Sequence, residues 1–265
     1  MSGLRLMLIG VASGALITAG AAAASSTFTV VEGNASDVTA GGIATWFNGM
    51  YSPSGNPRGH VMGTGPVGGP WTQAMVFGSG ARIVARGPGA RRTILGGTGA
   101  YLGATGTSVA TRARGRFSHR ITYSLPPRGT ARMQKSVRVR LGAPAITPRG
   151  GAGGVGDGRG IDGTIADASG ARVGTYRVDS TLLHVYSGGT REWYLGDATY
   201  AFAEGTLMVV GPYIRATGTA PGVQVASGRV VTRGTGAYAG MRGQVVVLPP
   251  NPDGSSTHAF TLIRR

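Results

Sequence analysis

The segment "GTGAYLGATG", residues 97–106, has a second copy in the chain, "GTGAYAGMRG", at residues 234–243. Both copies fit the pattern G-x-G-x-Y-x-G-x-x-G, and they share a Thr and an Ala besides. A glycine-rich segment of this kind can cradle a pyrophosphate, but only with a strand before it and a helix after it. Because neither copy is followed by an apolar period of 3.6 residues, the motif indicates a tight turn or bulge between two strands.

The similarity between the two copies extends in both directions from this motif. The matching pairs are Ser26–Val31 with Ser136–Leu141, Asn48–Gly59 with Asp162–Gly174, Gly80–Gly87 with Gly205–Gly211, and Ser118–Tyr123 with Thr257–Leu262. An internal repeat of this length indicates two copies of one domain. We therefore expect a first domain at residues 25–127 and a second at residues 131–265, with the boundary near Leu125–Thr130.

Each copy contains about eight short strand-like runs separated by Gly, Pro, Ser or Asn. The chain has 49 glycines, 14 prolines and 41% hydrophobic residues, which favours a turn-rich fold with ordinary cores. Antiparallel strands without covering helices are typical of small closed barrels. The prediction is an all-β protein of two tandem eight-stranded antiparallel β-barrels, with Tyr101 and Tyr238 packing across the barrel ends.

The N-terminus has the pattern of a secretory signal peptide. One positive charge at Arg5 precedes the apolar run Leu6–Ile17 and the small residues Ala21–Ala24, so we expect residues 1–24 to be cleaved. A retained membrane anchor is the alternative, because the run to Ala24 is about long enough to span a bilayer. Cleavage predicts a secreted or periplasmic protein that is not integral to the membrane. The absence of cysteine from the sequence means that packing rather than disulfides must stabilise it.

The formal charge of +16 lies mainly in the first half of the chain. Between Ser25 and Arg149 there are 15 basic residues and only two acidic ones, Glu32 and Asp37. Such a surface can contact an acidic polymer or anionic lipid, or it can simply be solvated. Nucleic acid is not expected as a partner, because the protein is predicted to be exported and no paired aromatic residues accompany the arginines.

Two segments of the second copy resemble a known family. "ATYAFAEGTLMVVGPYIRA" at residues 198–216, followed by "GRVVTRGTGAYAGMRGQVVV" at residues 228–247, is similar to the allene oxide cyclase barrel. "GGTGAYLGATG" at residues 96–106 resembles the corresponding segment of the related dirigent proteins. The resemblance implies eight-stranded barrels with an apolar lumen that holds a small lipophilic molecule. It also implies catalysis by confinement, so that any enzyme activity would be that of an isomerase or cyclase.

The resemblance also implies one candidate site. Allene oxide cyclases carry a Glu-x-Asn pair on the first strand, and "TVVEGN" places Glu32 and Asn34 at that point of the first copy. Residues two apart on a strand face the same side, so both would point into the lumen as the candidate catalytic residues. The alternative is a surface glutamate at a strand end. The second copy has "RVRLGAPA" in the corresponding place, so any chemistry is expected in the first barrel.

No other residues form a catalytic or metal-binding pattern. The four histidines, which are His60, His119, His184 and His258, form no ligand pair of the H-x-H or H-x-x-x-H type. His119 and His258 occupy equivalent places near the ends of the two copies, where a structural hydrogen bond is expected. The sequence predicts no cofactor and no metal. Two functions remain: a barrel that binds a small lipophilic molecule and steers its cyclisation or coupling, or a non-catalytic envelope module that contacts acidic polymers. No oligomeric state is predicted.

Overall fold

Seventeen β-strands make up most of the computed structural model, which describes residues 24–33, 37–113, 115–186, 188–216 and 227–264. The first nine strands are β1 (Ser25–Glu32), β2 (Asp37–Ala40), β3 (Ile43–Tyr51), β4 (Pro57–Pro66), β5 (Trp71–Phe77), β6 (Arg82–Gly87), β7 (Arg91–Thr98), β8 (Thr105–Ala113) and β9 (Arg116–Ser124). The remaining eight are β10 (Arg132–Thr147), β11 (Gly158–Ala166), β12 (Arg172–Val185), β13 (Arg191–Phe202), β14 (Gly205–Ala216), β15 (Ser227–Gly234), β16 (Met241–Pro250) and β17 (Ser256–Arg264).

The first nine strands form one antiparallel sheet in the order β1-β9-β8-β7-β6-β5-β4-β3-β2. β1 also pairs with β3, where Val31 lies opposite Tyr51 and Glu32 lies opposite Met50. This second pairing closes β1 and β3–β9 into an eight-stranded ring, and β2 flanks β3 as a ninth strand. Strands β10–β17 form a closed barrel of their own. The predicted all-β fold of two tandem barrels is confirmed.

The repeated glycine motif lies at the same turn in both barrels. In each barrel the motif begins at the end of one strand, forms a short 3-10 helix at Gly99–Tyr101 or Gly236–Tyr238, and leads into the next strand. Gly99 and Gly236 have φ values of +60° and +58°, a region that favours glycine. Because a strand and not an α-helix follows, the motif has a structural role and the dinucleotide interpretation does not apply.

Strand pairing defines which residues of the two barrels are equivalent. In the first barrel His119 lies opposite Val30, and in the second His258 lies opposite Val137. Following the cross-strand pairs from strand to strand around each ring matches the paired positions of one barrel with positions of the other. In both barrels the path ends at the same pair of equivalent residues, His119 and His258. The two barrels therefore share one register.

This register corrects one sequence alignment. The sequence comparison had aligned Ser26 with Ser136 as the equivalent first residues of the two strands. The structure instead makes Val30 equivalent to Val137, and so Thr29 equivalent to Ser136, a difference of three residues. An odd shift moves every side chain to the other face of the sheet, so aligning Ser26 with Ser136 matches residues that face the lumen in one barrel with residues that face outward in the other.

Each lumen has an apolar region packed with side chains. In the first barrel these are Val30, Met50, Val61, Met75, Ile83, Ala85, Ile94, Ala104 and Ile121. In the second barrel the corresponding cluster is larger and includes Val139, Ile165, Tyr176, Tyr200, Leu207, Val231, Phe260 and Leu262. The alternation of strand residues leaves the opposite faces to contact solvent or the other barrel.

The two barrels contact each other through a third apolar cluster, the interbarrel core. It consists of Phe47, Met62, Ala74, Val76, Val84, Leu183, Trp193, Leu195, Val210 and Val230. Phe47 stacks on His184 with ring centroids 4.5 Å apart and lies 5.5 Å from the Trp193 ring. At the edge, Arg86 donates to both carboxylate oxygens of Asp197 at 2.7 and 2.8 Å.

Residues 1–23, which include most of the predicted signal peptide, lie outside the described part of the chain. Within that part, no helix is long and apolar enough to cross a membrane.

We predict that Phe47→Ala lowers the free energy of unfolding by about 3 kcal/mol, because it removes a buried ring from the interbarrel core and leaves a cavity. Urea unfolding followed by circular dichroism measures the change. Arg86→Ala is the matched control, and the partly exposed ion pair that it removes is expected to contribute less than about 1 kcal/mol. Equal effects of the two substitutions would show that apolar packing does not hold the barrels together.

Candidate functional site

Glu32 lies at the end of β1, on the lumen side of the first barrel. Val30, two residues earlier, belongs to the apolar lumen cluster, and the alternation of the strand places Glu32 on the same face. Its side chain is buried, with 4% of its surface exposed. The prediction that Glu32 faces the lumen therefore agrees with the structure, whereas the surface alternative does not.

The carboxylate of Glu32 is bonded through both of its oxygens. His119 Nε2 lies 2.5 Å from Oε1, and Asn48 Nδ2 donates to Oε2 at 3.0 Å. His119 comes from β9 and Asn48 from β3, the two strands that pair with β1. A buried carboxylate requires such partners, because burial without them would disfavour its charged form.

Hydrogen bonding extends from His119 to a buried cation. Arg92 NH1 donates to Gln73 Oε1 at 2.9 Å, and Gln73 Nε2 lies 3.2 Å from His119 Nδ1. Together with Asn48 and Glu32, these residues form what we call the Glu32 network, in which every member is 5% exposed or less. The network links the two charges through hydrogen-bonding groups without direct contact, although Arg92 Nε is buried and has no hydrogen-bond partner among the described residues.

Arg92 determines the direction of these hydrogen bonds. A guanidinium only donates, so Gln73 must accept with Oε1 and present its NH₂ group to His119. His119 then accepts at Nδ1 and carries its proton on Nε2, where it donates to Glu32. The result is a neutral imidazole between a guanidinium and a carboxylate, with its tautomer fixed by the neighbours.

Two tryptophans cover Arg92 at this end of the lumen. The Arg92 guanidinium carbon lies 5.8 Å from the Trp46 ring centroid and 5.5 Å from that of Trp71. The two indoles meet edge to face, with centroids 5.8 Å apart. Gly63 leaves the room for them, since a Cβ at that position would lie 2.0 Å from the Trp46 ring. Both indoles are partly exposed, so they form an aromatic surface above the network.

Burial and the charge of Glu32 change the pKa values of two groups at this end of the lumen, Arg92 and Asp37. Burial lowers the pKa of Arg92, and the nearby Glu32 carboxylate acts in the opposite direction. Burial and the charge of Glu32 raise the pKa of Asp37, which Arg112 partly offsets. Asp37 lies opposite Trp46 on the neighbouring strand, which places a second carboxyl group at the rim.

The predicted pair was Glu32 with Asn34. Asn34 lies outside the described residues, so its role stays a prediction. The amide that contacts Glu32 in the structure is that of Asn48. Sequence reasoning also missed Gln73 and Arg92, whereas it had matched His119 with His258 across the repeat and expected a structural hydrogen bond for both. In the described part of the chain no group of three or more His, Cys, Asp or Glu residues is arranged to hold a metal ion.

The second barrel keeps only part of this arrangement. Its register makes Arg229 equivalent to Arg92 and His258 equivalent to His119. The positions equivalent to Glu32, Asn48 and Gln73 are occupied by Val139, Gly163 and Ala198.

His258 has neutral partners instead of a carboxylate. Its Nδ1 lies 2.6 Å from the Tyr200 hydroxyl, and its Nε2 lies 2.9 Å from Ser256 Oγ. Tyr200 occupies the position equivalent to Met75 of the first barrel. The two lumens have therefore diverged at the same depth, and only the first holds a carboxylate network.

Comparison with known proteins gives structural matches only. No protein-family model matches the sequence, and a search of curated proteins gives no match. A pyocyanin demethylase matches with a TM-score of 0.38 and 16% identity, over 49% of this chain and 99% of that one. A nonspecific heme-binding cyclase of neoabyssomicin biosynthesis matches with a TM-score of 0.35 and 19% identity, over 50% of this chain and 64% of that one.

A third similar structure is the exo-specific intermolecular Diels–Alderase AbnU, with a TM-score of 0.34 and 16% identity, over 50% of this chain and 98% of that one. Similarity at this level carries no argument about chemistry, so we base the function on the side chains of this chain. None of the three is described as an allene oxide cyclase or a dirigent protein, and that resemblance stays a prediction.

We predict that lowering the pH from about 6.5 to 5 destabilises the protein by up to about 2 kcal/mol through His258 alone. Burial and the nearby Arg229 lower the pKa of His258 to about 3 in the folded state, from the ordinary 6.5. In this range the unfolded chain binds a proton that the folded chain does not, so stability falls as the pH falls. The groups that face the ring are the hydroxyls of Tyr200 and Ser256, the Tyr176 ring and Arg229.

Urea unfolding of the wild type and of His258→Gln at pH 7 and pH 5 measures this dependence. The glutamine variant keeps polar groups near Tyr200 but cannot titrate, so its stability should change less between the two pH values. The same pH dependence in both proteins would contradict the assignment to His258.

Proposed function

We propose that the first barrel binds a small lipophilic molecule at the end of its lumen where Trp46 and Trp71 lie, and that the Glu32–His119 pair exchanges a proton with it. The protein would then act as an isomerase or cyclase of the allene oxide cyclase type. The observation that carries the proposal is the Glu32 network, a buried carboxylate, imidazole and guanidinium directly beneath an aromatic surface.

Binding is supported by the composition of this end of the barrel. Two partly exposed indoles offer apolar area with a defined geometry, and burial of such area contributes roughly 25 cal/mol per Å². Beneath them, the buried polar groups of the Glu32 network can recognise one polar atom of a ligand. A site that is mostly apolar with a few fixed polar groups is typical of small-molecule binding.

Proton transfer is supported by the order of the hydrogen bonds. His119 donates to Glu32 from Nε2, while Gln73 and Arg92 keep the other side of the ring in place. A carboxylate in this setting accepts a proton from a bound molecule and returns it at another atom, with His119 and Asn48 stabilising the charged form. The hydrogen-bonded neighbours preorganise these groups before the ligand arrives.

We also propose that the protein is exported and acts outside the cytoplasm. This rests on the sequence pattern of residues 1–24 alone.

The experiment is native mass spectrometry of the mature protein purified from its own host. We predict that the wild type carries a lipophilic molecule, that Trp71→Ala loses it, and that Trp193→Phe in the interbarrel core retains it as the matched control. In D₂O, the Glu32→Gln variant should incorporate deuterium into the co-purified molecule at least about 100-fold more slowly than the wild type. A wild-type protein free of any molecule, or equal deuterium incorporation in Glu32→Gln, would contradict the proposal.

A second candidate function rests on the outer face of the first barrel. Arg91 on β7 and Arg120 on β9 both lie opposite Val109 on the strand between them, and Arg116 lies on the same face of β9. All three arginines are exposed and take part in none of the ion pairs found among the described residues. Such a row of cations fits an acidic polymer at the cell envelope.

We predict that this row makes binding to polyglutamate strongly dependent on salt. Raising NaCl from about 50 to 500 mM should abolish retention on a polyglutamate column, because exposed charges are screened within a few ångströms at high salt. The triple variant Arg91→Gln, Arg116→Gln and Arg120→Gln should elute earlier than the wild type, and Arg177→Gln on the second barrel should elute unchanged. Equal retention of all three proteins would exclude this surface.

A further inference from the structure

The lumen of the second barrel contains a buried guanidinium. Arg229 is 4% exposed, and it shares the lumen face of β15 with Val231 of the apolar cluster. Its NH1 donates to the Tyr176 hydroxyl at 3.2 Å, and its guanidinium carbon lies 4.5 Å from the Tyr213 ring centroid. Its Nε is buried and has no hydrogen-bond partner among the described residues.

The described part of the chain supplies this cation with no counter-ion. None of its ion pairs involves Arg229. The nearby His258 has a pKa lowered to about 3 by burial and by Arg229 itself, so it is a neutral ring. In the first barrel the equivalent Arg92 is linked to the Glu32 carboxylate, whereas the second barrel has Val139 in that place.

A second guanidinium lies on the lumen side of the same barrel. Arg159 lies 5.5 Å from the Tyr194 ring centroid, and Tyr194 stacks on Tyr213 with centroids 5.0 Å apart. The two tyrosines thus separate Arg159 from Arg229. Arg159 is partly exposed, but its Nε and NH1 are buried and have no partner among the described residues.

The carboxylate that contacts Tyr194 is already engaged. Glu192 accepts from the Tyr194 hydroxyl at 2.9 Å and from Arg215 NH1 at 3.4 Å. Three buried N–H groups on two arginines therefore lack an acceptor in a lumen whose charge is positive. An uncompensated buried charge is costly, and a bound anion removes that cost.

We propose that the lumen of the second barrel binds a small organic acid, whose carboxylate pairs with Arg229 in the place that Glu32 fills in the first barrel. Val139, Gly163 and Ala198 stand where the first barrel has glutamate, asparagine and glutamine, so these positions offer Arg229 no carboxylate or amide. Arg159, nearer the rim, attracts the anion toward the lumen. This site is separate from the proposed function of the first barrel and does not depend on it.

The experiment compares benzoate with benzamide, its neutral counterpart of the same shape, by titration calorimetry on the full mature chain. The wild type should bind benzoate at least about 10-fold more tightly than benzamide, and Arg229→Met should bind benzoate at least about 10-fold more weakly than the wild type does. Methionine is apolar and fills much of the same volume, and it removes a buried charge, so this variant is expected to fold. Arg233→Met, an exposed arginine further along β15, is the matched control and should bind benzoate like the wild type.

A second measurement does not depend on the stability of the methionine variant. In ¹H–¹⁵N spectra of the wild type, the Nε–H signal of Arg229, assigned by its absence from Arg229→Lys, should shift as benzoate is added and stay in place as benzamide is added. Equal benzoate affinity in the wild type and Arg229→Met, no benzoate binding at all, or an Nε–H signal that does not move would each overturn the proposal. Loss of the co-purified molecule from the first barrel would leave this result unchanged, so the two proposals fail separately.

Discussion

Closure of the first sheet by the pairing of β1 with both β9 and β3 is the constraint on which the rest of the site depends. In a closed ring, alternate residues of every strand point into one lumen, and each polar group placed there must find its partner inside. Glu32 lies where β1 meets both neighbours, so His119 and Asn48 come from those two strands. Closure of the barrel therefore supplies the Glu32 carboxylate with its hydrogen-bond donors.

Each member of the Glu32 network determines whether the next one donates or accepts a hydrogen bond. Arg92 cannot accept a hydrogen bond, so it orients the amide of Gln73, and this amide sets the tautomer of His119. The imidazole then presents its N–H to Glu32, and the negative charge is held by two donors. Such a chain is rigid because no member can reverse without leaving a buried donor unpaired. This preorganisation distinguishes the first lumen from an ordinary apolar core, and it is what the proposed proton exchange requires.

Sequence reasoning predicted the fold because the strongest signals were local. The repeated glycine turn and the short alternating runs indicate strands and their order, and no helix interrupts them. Register was harder, because Ser26–Val31 and Ser136–Leu141 were matched at their first serines, although that alignment sets Phe28 and Val30 against Arg138 and Arg140. The odd slip of three residues puts the two alternations out of phase. Aligned on Ser26 and Ser136, Glu32 would match Gly142, whereas the closed ring matches it with Val139.

The candidate site was only partly predictable for a related reason. Glu32 was identified through a family resemblance, and the repeat drew attention to His119. Gln73 and Arg92 lie on strands that are distant from Glu32 in the sequence, and nothing local distinguishes them from surface residues. They meet because closure brings β5, β7, β9 and β1 around one axis. Long-range pairing, rather than residue type, defines this site, and a single sequence carries little of that information.

The two lumens differ in how the charge of their buried arginine is balanced. A tandem repeat begins with equal copies, and both barrels retain an arginine and a histidine at equivalent depth, Arg92 with His119 and Arg229 with His258. Only the first has a carboxylate with them. A buried cation without a carboxylate is costly unless other acceptors surround it. The tyrosines around Arg229 supply hydroxyls and ring faces, yet its Nε still has no acceptor among the described residues. Arg92 Nε has no acceptor among the described residues either, so the two lumens differ in the counter-ion: the Glu32 network supplies a carboxylate to Arg92, and the proposed organic acid would supply one to Arg229.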